Sequence, residues 1–211
     1  SILNGQDKTL EVTGSNAEVT GSIINAYGTA VVFEGKDKKL TLSGTIVNGG
    51  IDEDDSNLDP ASDAKVPAIS GSGNGDNLIL QSGTVQYTNG SKGIQNTIVN
   101  GNIDMKNGSD KLTVGSGTII NGNIDMGAGD DKLIVGSGTV LNGDVAMGTG
   151  NDELDIENGA VINGKLDGGI GTDSTLNFNS PTARALNSDK INIVHSISNF
   201  KNMNINTNVT L

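Results

Sequence analysis

From residue 100 to 178, apolar residues occur in short alternating runs separated by glycine-rich turns. Ile124 and Met126 flank Asp125, and Leu133 and Val135 flank Ile134. Alternation with a period of two predicts strands, because successive side chains point to opposite faces. The runs also recur. NGNIDMGAGDDKLIVGSGTVL at 121–141 follows NGNIDMKNGSDKLTVGSGTII at 100–120 and precedes NGDVAMGTGNDELDIENGAVI at 142–162. A further copy opens with NGKLDGGIGTDSTLNF at 163, so the step is 21 residues throughout. Each copy predicts three strands, NIDM, KLIV and GTVL in the middle one, joined by turn chemistry at GAGDD, GSG and NG.

Three strands in one such unit cannot enclose a core alone. They can if each unit is one coil of a parallel β-helix, in which every strand pairs with its counterpart about 4.8 Å away along the axis. The aligned columns then become stacks inside the tube. These columns are Ile103, Ile124, Val145 and Leu166; Met105, Met126 and Met147, with Gly168 in the fourth copy; Leu112, Leu133 and Leu154; and Val114, Val135 and Ile156, with Phe178 following after a one-residue slip. The methionines read as core filler rather than as ligands. The pattern predicts one all-β segment over 1–211 of roughly eight or nine coils, about 40 Å long. Irregular coils occupy 1–99, regular coils 100–178, and a strand-rich continuation 179–211.

The irregular part carries weaker copies at 8–16, 36–51 and 73–85. Leu10, Leu40, Leu78 and Leu112 mark their equivalent positions, spaced 30, 38 and 34. The excess over 21 predicts excursions from the tube, at 52–65, 88–93 and 179–190. Loops on a rigid scaffold are where binding concentrates. The acidic excursion therefore supplies the ligand-binding candidates Asp52, Glu53, Asp54, Asp55, Asp59 and Asp63. Neither end carries a polar capping unit, which predicts a piece of a longer solenoid.

Polar columns run beside the apolar ones. Asn100, Asn121, Asn142 and Asn163 predict a ladder of side-chain amides, and Gly108, Gly129, Gly150 and Gly171 predict positive-φ turns. Asp110, Asp131, Asp152 and Asp173 align, as do Asp104, Asp125 and Asp167 with Ala146 between them. Like charges about 5 Å apart repel by on the order of 1 kcal/mol even in water. Turn amides or a cation must offset that repulsion.

Composition removes several function classes. With 13 basic and 25 acidic residues the formal charge is −12, against nucleic acid and polybasic membrane contacts. Aromatics are 2% with no Trp, too few for a stacking platform. There is no Cys, hence no disulfide framework and no thiolate chemistry. Catalysis lacks parts as well. Arg184 is the only arginine and His195 the only histidine, the latter in strand-like INIVHSI, where it reads as a satisfied structural residue. The chain is expected not to be an enzyme and to need no cofactor.

Two resemblances add to this reading. GGIGTDSTL at 168–176 is similar to the calcium β-roll word G-G-x-G-x-D-x-U-x, with the apolar residue one place late. MGAGDDKLI and MGTGNDELD fit it with Met for the first Gly. The word comes once per 21 residues, and the opposite turns, GSG at 115–117 and 136–138, carry no Asp. Calcium at the Asp110, Asp131, Asp152 and Asp173 column is thus a minor alternative. The whole chain, and ISNFKNMNINTNVTL at 197–211 in particular, resembles the passenger segments of large type V autotransporter adhesins of Gram-negative bacteria. That resemblance implies a right-handed β-helix on the bacterial cell surface, carried by an outer-membrane β-barrel outside this segment. It implies an adhesin or adhesin stalk that attaches to a protein or glycan of host cells or other bacteria. A polysaccharide-active β-helix enzyme, or a calcium-stabilised structural module, is the alternative.

Overall fold

A computed structural model describes residues 1–50, 66–180, 191–193, 195–207 and 209–210. The described chain is all strand and turn and winds as a right-handed parallel β-helix. Three parallel sheets of nine, eight and eight strands run along the axis. In one regular coil the chain passes from Thr118–Asn121 in the first sheet to Ile124–Asp125 in the second and Lys132–Val135 in the third. It then re-enters the first sheet at Val140–Leu141. Register follows the repeat: Ile103 pairs with Ile124, Leu112 with Leu133 and Ile120 with Leu141.

The predicted parity holds on all three sheets. Leu112, Leu133, Leu154 and Leu176 are fully buried in one column, and Val114, Val135, Ile156 and Phe178 in the next. Met105, Met126 and Met147 are fully buried as well. Gly168 succeeds them, and the Phe200 ring packs beside it where a longer side chain would otherwise point. Each fully buried Leu or Ile contributes about 1.5–3 kcal/mol relative to exposure, so these columns are the main source of stability.

The irregular half keeps the same tube. Leu40 pairs with Leu78 and Leu78 with Leu112, as the weak copies predict. Leu10 does not belong to that column. It lies in Lys8–Val12 of the second sheet opposite Val31, and Ala17 is the residue paired with Leu40. KTLEV is itself an alternating strand, so its pattern fits any of the three sheets. The excursion predicted at 88–93 is the tip of a larger unit. Gly83–Gln86 and Lys92–Gln95 form an antiparallel hairpin, outside the parallel sheets, that leaves the tube between the third and first sheets. After 180 the helix continues through Ile191–Ile193, Ile197–Ser198, Asn202–Ile205 and Val209–Thr210.

One slip interrupts the regular coils. Ile170 still stands 21 residues from Thr149, but Thr175 pairs with Glu153, a step of 22. The extra residue is accommodated in the turn between them. Gly108, Gly129 and Gly150 have φ of 132°, 139° and 140°, whereas Gly171, on the slipped turn, is not among the positive-φ glycines. On the same turn Gly127, Gly148 and Gly169 hold φ of 96°, 92° and 71°, and Lys106 adopts 73° in the first coil, a conformation unfavourable for a side-chain-bearing residue.

Candidate functional site

The most unusual chemistry lies at the corner where each coil enters the third sheet. Asp110, Asp131 and Asp152 are buried there, at 2%, 2% and 1% exposure. The backbone explains them. Each strand start leaves an N–H turned along the axis, and buried N–H groups need acceptors. The Asp110 N–H donates to Asp131 Oδ1 at 2.7 Å, and the Asp131 N–H donates to Asp152 Oδ1 at 3.0 Å.

The column extends backwards to Asp76, whose N–H donates to Asp110 Oδ1 at 2.6 Å. Asp76 lies outside the four-member Asp column that the 21-residue step predicts, although it precedes Leu78 as Asp110 precedes Leu112. The Asp76 carboxylate in turn accepts from the Lys38 and Ser72 N–H groups and the Ser72 hydroxyl.

Asp173 is not in the column. The one-residue slip puts Ser174 there, buried, with its Oγ 3.5 Å from the Asp152 N–H. Asp173 is exposed and accepts from Asn202 Nδ2 at 2.6 Å.

Asp76 uses both carboxyl oxygens, whereas Asp110, Asp131 and Asp152 each use one. Oδ2 of Asp110, of Asp131 and of Asp152 is buried without a partner. Burial, aided by the neighbouring acids Asp131 and Asp76, pushes Asp110 from 3.8 up to about 7. Burial, with Asp152, Asp130 and Asp125 nearby, raises Asp131 to about 7 as well. Asp152 is raised for the same reason, burial first and Asp130 second. No group of three or more His, Cys, Asp or Glu side chains converges on a cation position among the described residues. The donors visible here are one free oxygen per coil, fewer than the six to eight a calcium ion takes.

A second polar column crosses the corner between the first and second sheets. The predicted amide ladder at Asn100, Asn121, Asn142 and Asn163 is present, each Nδ2 donating to the preceding Oδ1 at 2.7–2.8 Å. It continues through Asn48, Asn25 and Asn4 at similar distances. The LNG and VNG words at 3–5 and 47–49 carried that signal.

The outer face of the second sheet is acidic. Asp104, Asp125 and Asp167 each brace their own turn by accepting an N–H two residues on, from Lys106, Gly127 and Gly169. Burial and the Asp104 charge raise Asp125, whereas the Gly169 N–H and the Asn199 amide lower Asp167. A shallow groove of about 290 Å³ runs over this face, lined by Val66, Pro67, Asn102, Asp104, Asn123 and Asp125. Val66 and Pro67 directly follow the acidic run 52–65 in sequence. Asp52, Glu53, Asp54, Asp55, Asp59 and Asp63 lie outside the described residues, as does Arg184. His195 is exposed at the bend after Ile191–Ile193 rather than held within a strand.

No protein-family model, curated protein or solved structure matches the chain.

Proposed function

We propose that this chain is a segment of an extracellular adhesin or adhesin stalk, displayed on a Gram-negative cell surface by an outer-membrane barrel beyond this segment. Its partner is a protein or glycan on host cells or on other bacteria. The observation that carries the reading is the contrast between a continuous coiled core and the hairpin that leaves it. The hairpin Gly83–Gln95 departs from one corner, and Val66 and Pro67, which line the groove, directly follow the acidic run 52–65 in sequence. A rod whose stability comes from stacked aliphatic columns tolerates such excursions, because contacts run only between adjacent coils. The acidic face disfavours anionic partners and favours neutral or basic ones. The autotransporter wording at 197–211 supports the same reading.

The test is binding of the purified segment to a glycan array and to cultured epithelial and bacterial cells, with deletion of 52–65 and, separately, of 83–95. Loss of binding in either deletion with an unchanged melting curve supports adhesion by that unit. Release of reducing sugar ends from a polysaccharide would replace the reading with the enzymatic one. Intact binding in both deletions would move the site to the faces of the tube.

A further inference from the structure

Ten Asn–Gly pairs run along this chain, beginning at Asn4, Asn48, Asn74, Asn89, Asn100, Asn107, Asn121, Asn142, Asn158 and Asn163. Asn–Gly is the most labile dipeptide towards intramolecular cyclisation, because glycine offers no side chain to block attack by its backbone nitrogen. The fold treats the ten pairs very differently. A Cβ built on Gly122, Gly143 or Gly164 would run into the carbonyl of the preceding coil. On Gly5, Gly101 or Gly108 it would also meet backbone atoms. Gly49 is 2.7 Å from Ala68 Cα by the same measure, Gly75 is 3.0 Å from Ser109 O, and Gly159 is 2.6 Å from Ser137 Oγ. Around Gly90 there is nothing within 4 Å.

Asn89–Gly90 sits at the tip of the hairpin. The Gly90 N–H donates within its own turn, to Tyr87 O at 2.9 Å, and Gly90 has φ of 83°. Asn89 Oδ1 receives two donors, the Ser91 N–H at 3.0 Å and the Ser91 hydroxyl at 2.6 Å. Those donors polarise the side-chain carbonyl and are already placed for the oxyanion that forms when it is attacked. Six of the other asparagines, Asn4, Asn48, Asn100, Asn121, Asn142 and Asn163, have their amides tied into the ladder. Cyclisation there would break coil-to-coil bonds and lift a glycine out of a packed stack.

We propose that Asn89–Gly90 is a site of spontaneous covalent modification, and that the asparagine ladder protects the six pairs within it. The Gly90 nitrogen, losing its proton to solvent, attacks Asn89 Cγ. The C–N bond to the side-chain amide breaks and ammonia leaves, which closes a succinimide. Water then opens the ring at either carbonyl, giving aspartate or isoaspartate. The sum is one water consumed and one ammonia released. The product places a negative charge three residues from Lys92, and the isoaspartate form adds a methylene to the backbone of the turn. This inference does not depend on the adhesin reading. If the hairpin binds a partner, the modification alters that surface with time.

The experiment incubates the purified chain in mildly alkaline buffer made with heavy-oxygen water and follows each Asn–Gly peptide by mass spectrometry. The expected result is label at Asn89, matched by released ammonia, with the ladder pairs several-fold slower or silent. In urea all ten pairs should react. Ser91→Ala should slow Asn89 several-fold while the melting curve stays unchanged, and Asn142→Ala should expose Asn121 and Asn163 to reaction. Equal rates at Asn89 and at a ladder pair in the folded chain would overturn the proposal. So would a folded chain silent at Asn89 when the unfolded chain reacts there. An unchanged Asn89 rate in Ser91→Ala would remove the assisting role of Ser91.

Discussion

The two ladders that brace the corners of this tube solve the same problem with different chemistry. At the first corner, amides from Asn4 to Asn163 hydrogen-bond one to the next. An amide is both donor and acceptor, so a stack satisfies itself without charge and needs nothing from the backbone. At the other corner, Asp76, Asp110, Asp131 and Asp152 accept backbone N–H groups from coil to coil. A carboxylate only accepts, so a column of them relies on donors from elsewhere, and the Oδ2 atoms of Asp110, Asp131 and Asp152 are buried without partners. The amide ladder should therefore be indifferent to pH, whereas the carboxyl ladder carries protonation in its stability. The difference teaches that a repeat selects a column for the hydrogen bond it must make. The cost of the leftover atom then decides how conditions act on it.

Both ladders depend on the aliphatic columns between them, and breaking those has the largest expected effect. Leu133→Asp places a carboxyl between Leu112 and Leu154, where it finds no designed partner. The loss should be on the order of 4 kcal/mol or more. Because contacts run to adjacent coils only, hydrogen exchange should rise first around 112–156. An unchanged thermal midpoint would show that Leu133 does not point inward.

Raising the pH separates the two ladders next. Asp110 and Asp131 have folded values near 7 against an ordinary 3.8, so the folded state holds their protons more tightly than the unfolded state. The associated stability is complete below about pH 4 and is lost as the pH rises towards 7, the direction opposite to an acid held by salt bridges. For the two together the loss should be on the order of a few kcal/mol. The measurement is urea unfolding across that range for the native chain and for Asp110→Asn with Asp131→Asn. Asparagine keeps the acceptor oxygen, so the double variant should lose most of the slope and be the more stable form at pH 8. A native chain that becomes more stable from pH 4 to 7 would contradict the account.

The amide ladder should respond more weakly. Asn121 is exposed and makes one bond in each direction, to Asn100 and from Asn142. Asn121→Ala removes both and leaves their partners to water, for a loss of about 1 kcal/mol at any pH. A loss that varies with pH would mean that the two ladders are coupled across the coil.

The tube was legible in the sequence because core parity and a fixed step leave little freedom. Leu112, Leu133 and Leu154 cannot share a face at any other period, and the methionine column confirmed the face. What escaped were places where pattern is degenerate. Asp173 reads as the fourth member of its column in every residue count, yet one extra residue in a solvent-facing turn moves Ser174 into its place. Core residues signal such a slip, as Phe178 did, whereas polar residues tolerate either position in a sequence alignment. Leu10 was misplaced because a short alternating strand fits all three sheets, and only its neighbour Val31 decides which. Asp76 escapes the repeat because it stands 34 residues before Asp110 rather than 21. The hairpin was seen only at its TNGSKG tip, since Gly83–Gln86 looks like one more coil strand until its antiparallel partner is known. For the site, buried carboxyls look in sequence the same as solvated ones; burial of the corner is a property of stacking.

The smallest expected effect concerns calcium at the carboxyl ladder. An ion bound only by the folded chain would add about 2.7 kcal/mol at a concentration 100 times its dissociation constant. Calcium takes six to eight oxygens, mostly charged or carbonyl, at about 2.3–2.6 Å. Here Oδ1 of each of Asp110, Asp131 and Asp152 is committed to a backbone N–H, and the next acceptor in the column is Ser174 Oγ rather than a carboxylate. The opposite turns at 115–117 and 136–138 offer Gly, Ser and Gly with no Asp, and the Glu157 carboxylate beside the second already accepts the Ser137 N–H. We therefore expect the thermal midpoint to shift by less than about 0.5 kcal/mol equivalent between chelator and millimolar calcium at moderate salt, the size of an ordinary surface effect. The measurement should be repeated at pH 8, where ionised Asp110 and Asp131 would be the better ligands, and on Asp131→Asn. A rise in midpoint with calcium that appears only at the higher pH and vanishes in Asp131→Asn would make the buried Oδ2 atoms ion ligands. The carboxyl ladder would then be satisfied by a cation where the amide ladder satisfies itself.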